Sequence, residues 1–134
     1  MKNLFIALLF LIQPIIVFSQ TKADAEHVMG VFMKFYNAGK NDSIYNLLSV
    51  SDKKMISKAK NADDMKWYKD NFGAMLSFEY LGIDNEDDNV IVFKTNWSKG
   101  GKKTSSFTLD KENKFLTFRL GTSSPGIDKL LKNH

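Results

Sequence analysis

The sequence predicts an α+β fold in which N-terminal helices pack on a curved, four-stranded antiparallel meander sheet. Three observations support this prediction. Residues 73–120 contain four runs of alternating apolar and polar residues, polar turns separate these runs, and residues 24–72 carry apolar residues at helical spacing. A period of two is typical of an antiparallel sheet that buries one face and leaves the other in water. We therefore expect the helices to cover the apolar face.

Residues 1–19 have the pattern of a secretory signal peptide. Lys2 precedes an apolar run over residues 4–18, and cleavage is expected between Ser19 and Gln20. A membrane anchor is the alternative, but a Gln-Pro pair interrupts the run, which falls short of the roughly 20 apolar residues that span a bilayer. We therefore expect export to the periplasm or the extracellular space, without a stable membrane anchor.

The remainder of the chain is expected to form one domain and a tail. The domain covers residues 20–121, which is long enough to bury a single core. Residues 122–134 begin with a Thr-Ser-Ser-Pro-Gly stretch that is typical of a linker. They are predicted to be a flexible C-terminal tail, in which residues 127–131 could form one helical turn that docks or frays.

The composition limits the classes of partner. The chain has no cysteine, which excludes disulfide bonds and a lipid attached at a cleavage-site cysteine. Its formal net charge is +4, and its lysines are scattered among acids rather than clustered. Nucleic-acid binding, which favours a clustered basic patch, is therefore not expected. With two histidines and no cysteine, neither a transition-metal site nor a cofactor is predicted.

Four helices are predicted before the sheet, over residues 24–38, 41–48, 51–59 and 63–72. The first helix has the longest apolar stripe, with residues at i, i+3, i+4 and i+7 spacing. Its inward residues are Ala25, Val28, Met29, Phe32, Phe35 and Tyr36. The short third helix is expected to bury Met55 and Ile56.

Four strands are predicted over residues 74–83, 89–97, 103–109 and 115–120. Their inward residues are Leu76, Phe78, Tyr80, Ile91, Phe93, Phe107, Leu109, Leu116, Phe118 and Leu120. A three-residue turn at residues 99–101 would place Phe93 beside Phe107. An even-numbered turn would then place Leu109 opposite Leu116.

Residues that often carry chemistry are better explained here by structural roles. His27 is expected on the surface of the first helix, and His134 ends the chain. The acidic turn at residues 84–88 lacks the glycine and the glutamate that a calcium-binding loop needs. Glu79 lies near Lys94 on the polar sheet face and is expected to form a cross-strand pair. No catalytic residue and no metal site is predicted.

Aromatic side chains with polar tips are the feature that points toward a function. Tyr36, Trp67, Tyr80 and Trp97 lie among positions otherwise filled by Phe and Leu. The simpler interpretation is a filled core in which each polar tip finds a hydrogen-bond partner. The alternative is that these four residues rim an apolar pocket, open at one end, that binds a small apolar ligand. Both interpretations stay open at this point.

Three segments carry a resemblance to a known superfamily: residues 36–48 after the first helix, Phe72 and Gly73 before the sheet, and the closing strand at residues 114–120. Helices followed by a meander with these segments resemble the cone-shaped nuclear transport factor 2-like superfamily, whose fold is cystatin-like. Most similar are small exported bacterial domains of unknown function, which also occur in front of secreted serine hydrolases. No residue matches the hydrolase nucleophile, or securely matches the acid that enzymatic members place inside the cone. The resemblance therefore implies a fold and no catalytic role.

The sequence thus predicts an exported, non-catalytic binding or accessory module, without naming its ligand or partner. The alternative is a small isomerase- or hydratase-like enzyme with an acid inside the cone. The superfamily often dimerises through the outer sheet face. In this sequence that face, with Val90, Val92 and Thr108, is neither strongly apolar nor highly charged. A homodimer through the outer sheet face is therefore expected.

Overall fold

The computed structural model describes residues 22–84, 90–121 and 124–134, which form an α+β domain with helices followed by an antiparallel sheet. The helices before the sheet are α1 (Lys22–Asn37), α2 (Asn41–Leu47), α3 (Val50–Met55) and α4 (Lys58–Phe72). The strands are β1 (Met75–Asp84), β2 (Val90–Trp97), β3 (Gly101–Leu109) and β4 (Phe115–Leu120), and helix α5 (Pro125–Lys132) follows them. The strands pair in sequence order, so the predicted meander is confirmed. The predicted signal peptide and residues 85–88 of the acidic turn lie outside the described residues.

Helix α1 lies against the apolar face of the sheet, as its stripe predicts. Its buried residues are Ala25, Val28, Met29, Phe32 and Tyr36. They belong to one cluster with Ile91, Phe93, Phe107 and Phe115 of the strands. The Phe32 ring meets the Phe115 ring edge-on with centroids 5.9 Å apart, and the Phe93 and Phe107 rings stack at 5.4 Å. The core therefore sits between α1 and the sheet.

Serine residues cap the N-terminal ends of α3 and α4. The Ser49 hydroxyl accepts a hydrogen bond from the Asp52 N–H at the start of α3, and the Ser57 hydroxyl accepts one from the Lys60 N–H at the start of α4. Such caps satisfy backbone donors that a helix leaves free at its first turn. Helix α3 ends at Met55, whereas the predicted helix continues to residue 59. Met55 is 84% exposed, so the prediction that it is buried is wrong.

A β-bulge corrects the predicted face of Leu76. Met75 pairs with Trp97 and Ser77 pairs with Asn96, so β1 has one extra residue between these pairs. An extra residue reverses which face each preceding side chain of the strand occupies. Met75 is therefore buried, and Leu76, predicted inward, is 57% exposed.

The register between β2 and β3 differs from the predicted one by two residues. Phe93 pairs with Ser105, and Ile91 is the residue that pairs with Phe107. The connecting turn covers residues 98–100, one position earlier than predicted, so Trp97 pairs with Gly101. Both turns have three residues, and the inward and outward faces are therefore as predicted.

A second irregularity changes the inward residue of β4. The pairing of β3 with β4 shifts between Thr108 and Leu109, so Leu109 pairs with Phe115. The predicted pairing of Leu109 with Leu116 is wrong. Phe115 is 1% exposed, whereas Leu116 is only half-buried.

Helix α5 occupies the segment for which the sequence predicts a flexible tail. The Ser124 hydroxyl accepts a hydrogen bond from the Ile127 N–H and donates one to Asp84 Oδ2 at 2.7 Å. Ile127 packs against Leu81 and Val92 on the outer face of the sheet. The helix therefore covers part of the face on which the homodimer is expected, and the homodimer stays a prediction.

Candidate functional site

Two of the four predicted ligand-binding residues are buried together in the core. The Tyr36 hydroxyl donates to the Gly73 carbonyl oxygen at 2.8 Å, and Trp97 Nε1 donates to Thr95 Oγ1 at 2.9 Å. Their rings meet edge-on with centroids 5.4 Å apart, and each residue is 2% exposed. Burial raises the pKa of Tyr36 to about 12. Both polar tips have protein partners, as the filled-core interpretation expects.

The other two predicted residues lie apart from this pair. Trp67 is 55% exposed on α4, where its ring packs edge-on against the rings of Tyr68 and Phe72. Tyr80 is half-buried and contacts the Phe93 ring at a centroid distance of 5.6 Å. The structure therefore does not bring the four aromatic residues to one rim.

A pocket does exist, at a different place in the fold. It has a volume of about 270 Å3 and lies between the helices α1 to α4 and the strand β4. Its apolar walls are formed by Phe32, Ile44, Leu48, Met55, Ile56, Met65, Phe115, Leu116 and Phe118. Its polar lining consists of Asp52, Asn61, Asp64 and Tyr68. Within the described ranges, none of the four predicted aromatic residues lines it.

The link between α2 and α3 is fixed to the sheet beside this pocket. The Ser49 N–H donates to the Phe115 carbonyl oxygen at 2.7 Å, and Leu48 forms a parallel bridge with Phe115. The Lys114 Nζ donates to the Asn46 carbonyl oxygen at 3.2 Å. These bonds hold the start of α3, and with it Asp52, against the wall that β4 provides.

Asn61 joins two helices under the pocket. It is 5% exposed, and its Nδ2 donates to the Asn41 carbonyl oxygen at 3.2 Å. Because a carbonyl oxygen can only accept, this bond fixes which end of the amide faces α2. The amide oxygen of Asn61 has no hydrogen-bond partner among the residues that the structure describes.

The two carboxylates of the lining differ in their surroundings. Asp64 pairs with Lys60, one turn earlier on α4. The Asp52 carboxylate has neither an ion pair nor a hydrogen bond within the described part of the chain. Burial raises the pKa of Asp52 above its ordinary value, because the charged form loses hydration there.

Tyr68 is the remaining polar group of the lining. Burial, and then the negative charge of Asp64, raise the pKa of Tyr68. The phenol therefore stays protonated at neutral pH and can donate or accept a hydrogen bond. Met55 lines the pocket and is also largely exposed, so it lies at the mouth.

The histidines and the predicted Glu79–Lys94 pair lie outside the pocket. His27 is exposed on α1, as predicted. Glu79 and Lys94 are direct partners across β1 and β2 with 3.8 Å between their charged atoms, which confirms the predicted pair. The ring of His134 lies 3.1 Å from the Leu81 carbonyl oxygen. Across residues 22–84, 90–121 and 124–134, no cluster of three or more side chains suited to a metal ion is present.

The same ranges contain no helix that is long and apolar enough to cross a membrane. Comparison of the chain with protein-family models, with curated proteins and with solved structures gave no match. The function must therefore be argued from the pocket.

The sequence pattern does not reveal the lining of this pocket. Ile56 is predicted as a core residue of the third helix, and Asp52 falls in the first turn of that helix, where an acid is common. Ser57 was the available signal, since a serine before a helical segment is a typical cap. It marks the start of α4 directly after α3 has ended at Met55.

Proposed function

We propose that this protein is a non-catalytic binding module that holds a small, mainly apolar molecule in the pocket between α1 to α4 and β4. The observation that carries the proposal is a 270 Å3 concavity whose walls are apolar and whose few polar groups converge on it. Ligand sites commonly have this composition, with volumes of roughly 300–1,000 Å3 for drug-sized molecules.

The volume limits the size of the ligand. A dry apolar cavity of about 150 Å3 holds benzene. By proportion, the pocket suits a ligand of roughly ten non-hydrogen atoms. Such a molecule would contact apolar lining residues such as Phe32, Ile56 and Phe118.

The experiment is a titration with phenethyl alcohol, a neutral probe of this size, followed by amide chemical shifts in NMR spectra. We expect saturable shifts at residues of α3, α4 and β4. The variant Ile56→Trp fills the pocket and should abolish them. Leu76→Trp is the matched control, because Leu76 is exposed and does not line the pocket. Absence of saturable shifts with the wild-type protein, or equal shifts in Ile56→Trp, would overturn the proposal.

A small isomerase- or hydratase-like enzyme is the second candidate. Asp52 favours it, since a carboxyl group with a raised pKa on an apolar wall is suited to proton transfer. An enzyme would lose turnover in Asp52→Asn while keeping its affinity for a neutral ligand. Turnover that survives this change would exclude Asp52 as the acid.

We also propose that the domain has the cone-shaped fold of the nuclear transport factor 2-like superfamily and that the protein is exported. Helices before a four-stranded meander support the fold, and the pattern of residues 1–19 supports export. Mass spectrometry of exported protein tests the second point. A mature chain that begins at Gln20 or Thr21 is expected, and a membrane-bound form that retains Met1 would contradict export.

A further inference from the structure

Resting on the proposed binding function, we infer that the ligand of this pocket carries a basic nitrogen, and that its ammonium group pairs with the carboxylate of Asp52. The inference names a chemical class, an apolar amine of roughly ten non-hydrogen atoms. It depends on the charges and hydrogen-bond acceptors that the described residues bring to the pocket.

The charged side chains of the pocket lining have one sign. Of the described residues that line the pocket, only Asp52 and Asp64 are ionisable at neutral pH, and both are acidic. Lys60 already compensates Asp64. The Asp52 carboxylate, in the first turn of α3, has no ion pair and no hydrogen bond in the described ranges.

The lysines of α3 and its surroundings do not supply that partner. The ammonium groups of Lys53 and Lys58 lie over the Tyr45 ring, 5.7 Å and 5.9 Å from its centroid. Lys114 Nζ donates to the Asn46 carbonyl oxygen. No lysine in the described ranges, Lys54 of α3 included, forms an ion pair with Asp52, so a ligand can supply the cation.

The pocket lining also offers hydrogen-bond acceptors to a ligand. A primary ammonium has three N–H donors and no acceptor. The Asn61 amide oxygen is free within the described part of the chain, and the Asp52 carboxylate has two oxygens to offer. Asn61 cannot turn its amide nitrogen to the pocket without losing its bond to the Asn41 carbonyl oxygen. The lining is thus better suited to a ligand that donates than to one that accepts.

Partial burial of the Asp52 carboxylate has a cost that a cation would offset. A carboxylate that loses water without gaining a partner is destabilised, and a cation placed beside it restores the lost interaction. The raised pKa of Asp52 is consistent with such an unpaired, desolvated group. An anionic ligand would meet repulsion at the same place.

The test uses three probes with one skeleton: phenethylamine, phenethyl alcohol and phenylacetate. They differ in charge and hardly in size, so the apolar contacts stay constant. In NMR titrations at neutral pH, we expect the amine to bind about tenfold more tightly than the alcohol or better, as for a charged hydrogen bond. Phenylacetate should bind most weakly.

A pair of variants identifies the group that recognises the amine. Asp52→Asn should remove the advantage of the amine over the alcohol. Asp63→Asn is the matched control, because Asp63 is an exposed acid that does not line the pocket. It removes the same charge and should preserve the advantage.

The outcomes separate the inference from the proposed function. Equal affinities for amine and alcohol, or an amine preference that survives in Asp52→Asn, would overturn the inference while the binding function stands. If none of the probes binds, the proposed function fails and the inference fails with it. The comparison of probes on the wild-type protein does not depend on the folding of any variant.

Discussion

The indole N–H of Trp97 donates a hydrogen bond to the hydroxyl oxygen of Thr95 at 2.9 Å, on the face of the sheet that packs against α1. The same Thr95 Oγ1 is 2.7 Å from Ser105 Oγ and donates to the Lys103 carbonyl oxygen at 3.1 Å. Thr95 and Ser105 are fully buried. Polar side chains therefore lie inside the core because they satisfy one another, as buried polar groups generally must.

Replacing Thr95 by Val should destabilise the protein by about 1–3 kcal/mol, because the Trp97 N–H and the Ser105 hydroxyl lose their shared partner without a change in volume. Urea unfolding of the two proteins measures the difference. Thr95→Ser keeps the hydroxyl and should cost less. Equal stability of Thr95→Val and the wild-type protein would show that the hydroxyl network contributes nothing.

Replacing Trp97 by Ala should cost about 3–5 kcal/mol, as is usual for a buried aromatic residue. Phe93→Ala should cost a similar amount, since both side chains are fully buried. Trp67→Ala is the control and should cost less than about 1 kcal/mol, because its ring is mostly in water. Urea unfolding again provides the measurement. A small effect of Trp97→Ala would return Trp97 to the rim position that the sequence suggested.

The sequence predicts those parts of the fold in which an apolar pattern repeats over several residues. The stripe of α1, with Phe32 and Tyr36 on one side, follows from the period of a helix. The two faces of β2 follow from alternation. Both patterns extend over several residues, so a single exception does not hide them. The order of the strands then follows from the short turns between them.

Single-residue features of the sheet could not be predicted in this way. The bulge at Leu76 and the shift beside Leu109 each arise from one residue that has no partner on the neighbouring strand. Thr95 and Ser105 keep the inward phase of the alternation, but the sequence does not show that hydroxyl contacts inside the core satisfy their polar atoms. These outcomes are decided by tertiary contacts and not by local pattern.

The position of the pocket cannot be predicted from the sequence for a related reason. Tyr36 and Trp97 have the amphipathic character of rim residues, but the Gly73 carbonyl oxygen and Thr95 satisfy their polar tips inside the core. The pocket instead depends on where α3 ends and α4 begins, at Met55 and Ser57. Its lining comes from five separate elements, whose packing no local spacing encodes.

Replacing Gly126 by Ala should release α5 from the outer sheet face. A Cβ atom at this position would collide with the Asp84 carboxylate, which also accepts the hydrogen bond of the Ser124 hydroxyl. We expect a loss of about 1–3 kcal/mol, typical of overpacking. Hydrogen exchange of the α5 amides, which should lose protection, measures the effect.

Gly30→Ala is the matched control, because Gly30 lies inside α1 and a Cβ there would make an ordinary contact with Phe78 Cζ, at 3.9 Å. Alanine is favoured over glycine within a helix, so this variant should be more stable by about 0.5–1 kcal/mol. Unchanged protection of α5 in Gly126→Ala would mean that the helix and Asp84 adjust to the added methyl group.

Tyr36 should make the protein less stable at alkaline pH. Its hydroxyl donates to the Gly73 carbonyl oxygen at 2.8 Å, and burial raises its pKa from 10.0 to about 12. Between these two values the unfolded chain releases the phenolic proton while the folded protein retains it. The free energy of unfolding therefore falls as the pH rises above 10.0, since the folded state binds more protons.

The variant Tyr36→Phe isolates this contribution. At neutral pH it should be less stable by about 1 kcal/mol, because the Gly73 carbonyl oxygen loses its donor. Above pH 10.0 the difference should shrink, since the variant has no phenol to ionise at this position. Tyr68 and Tyr80, whose pKa values are also raised, are present in both proteins and so largely cancel in the comparison. Urea unfolding at several pH values from neutral to about 11 gives both curves, and a constant separation between them would contradict the role assigned to Tyr36.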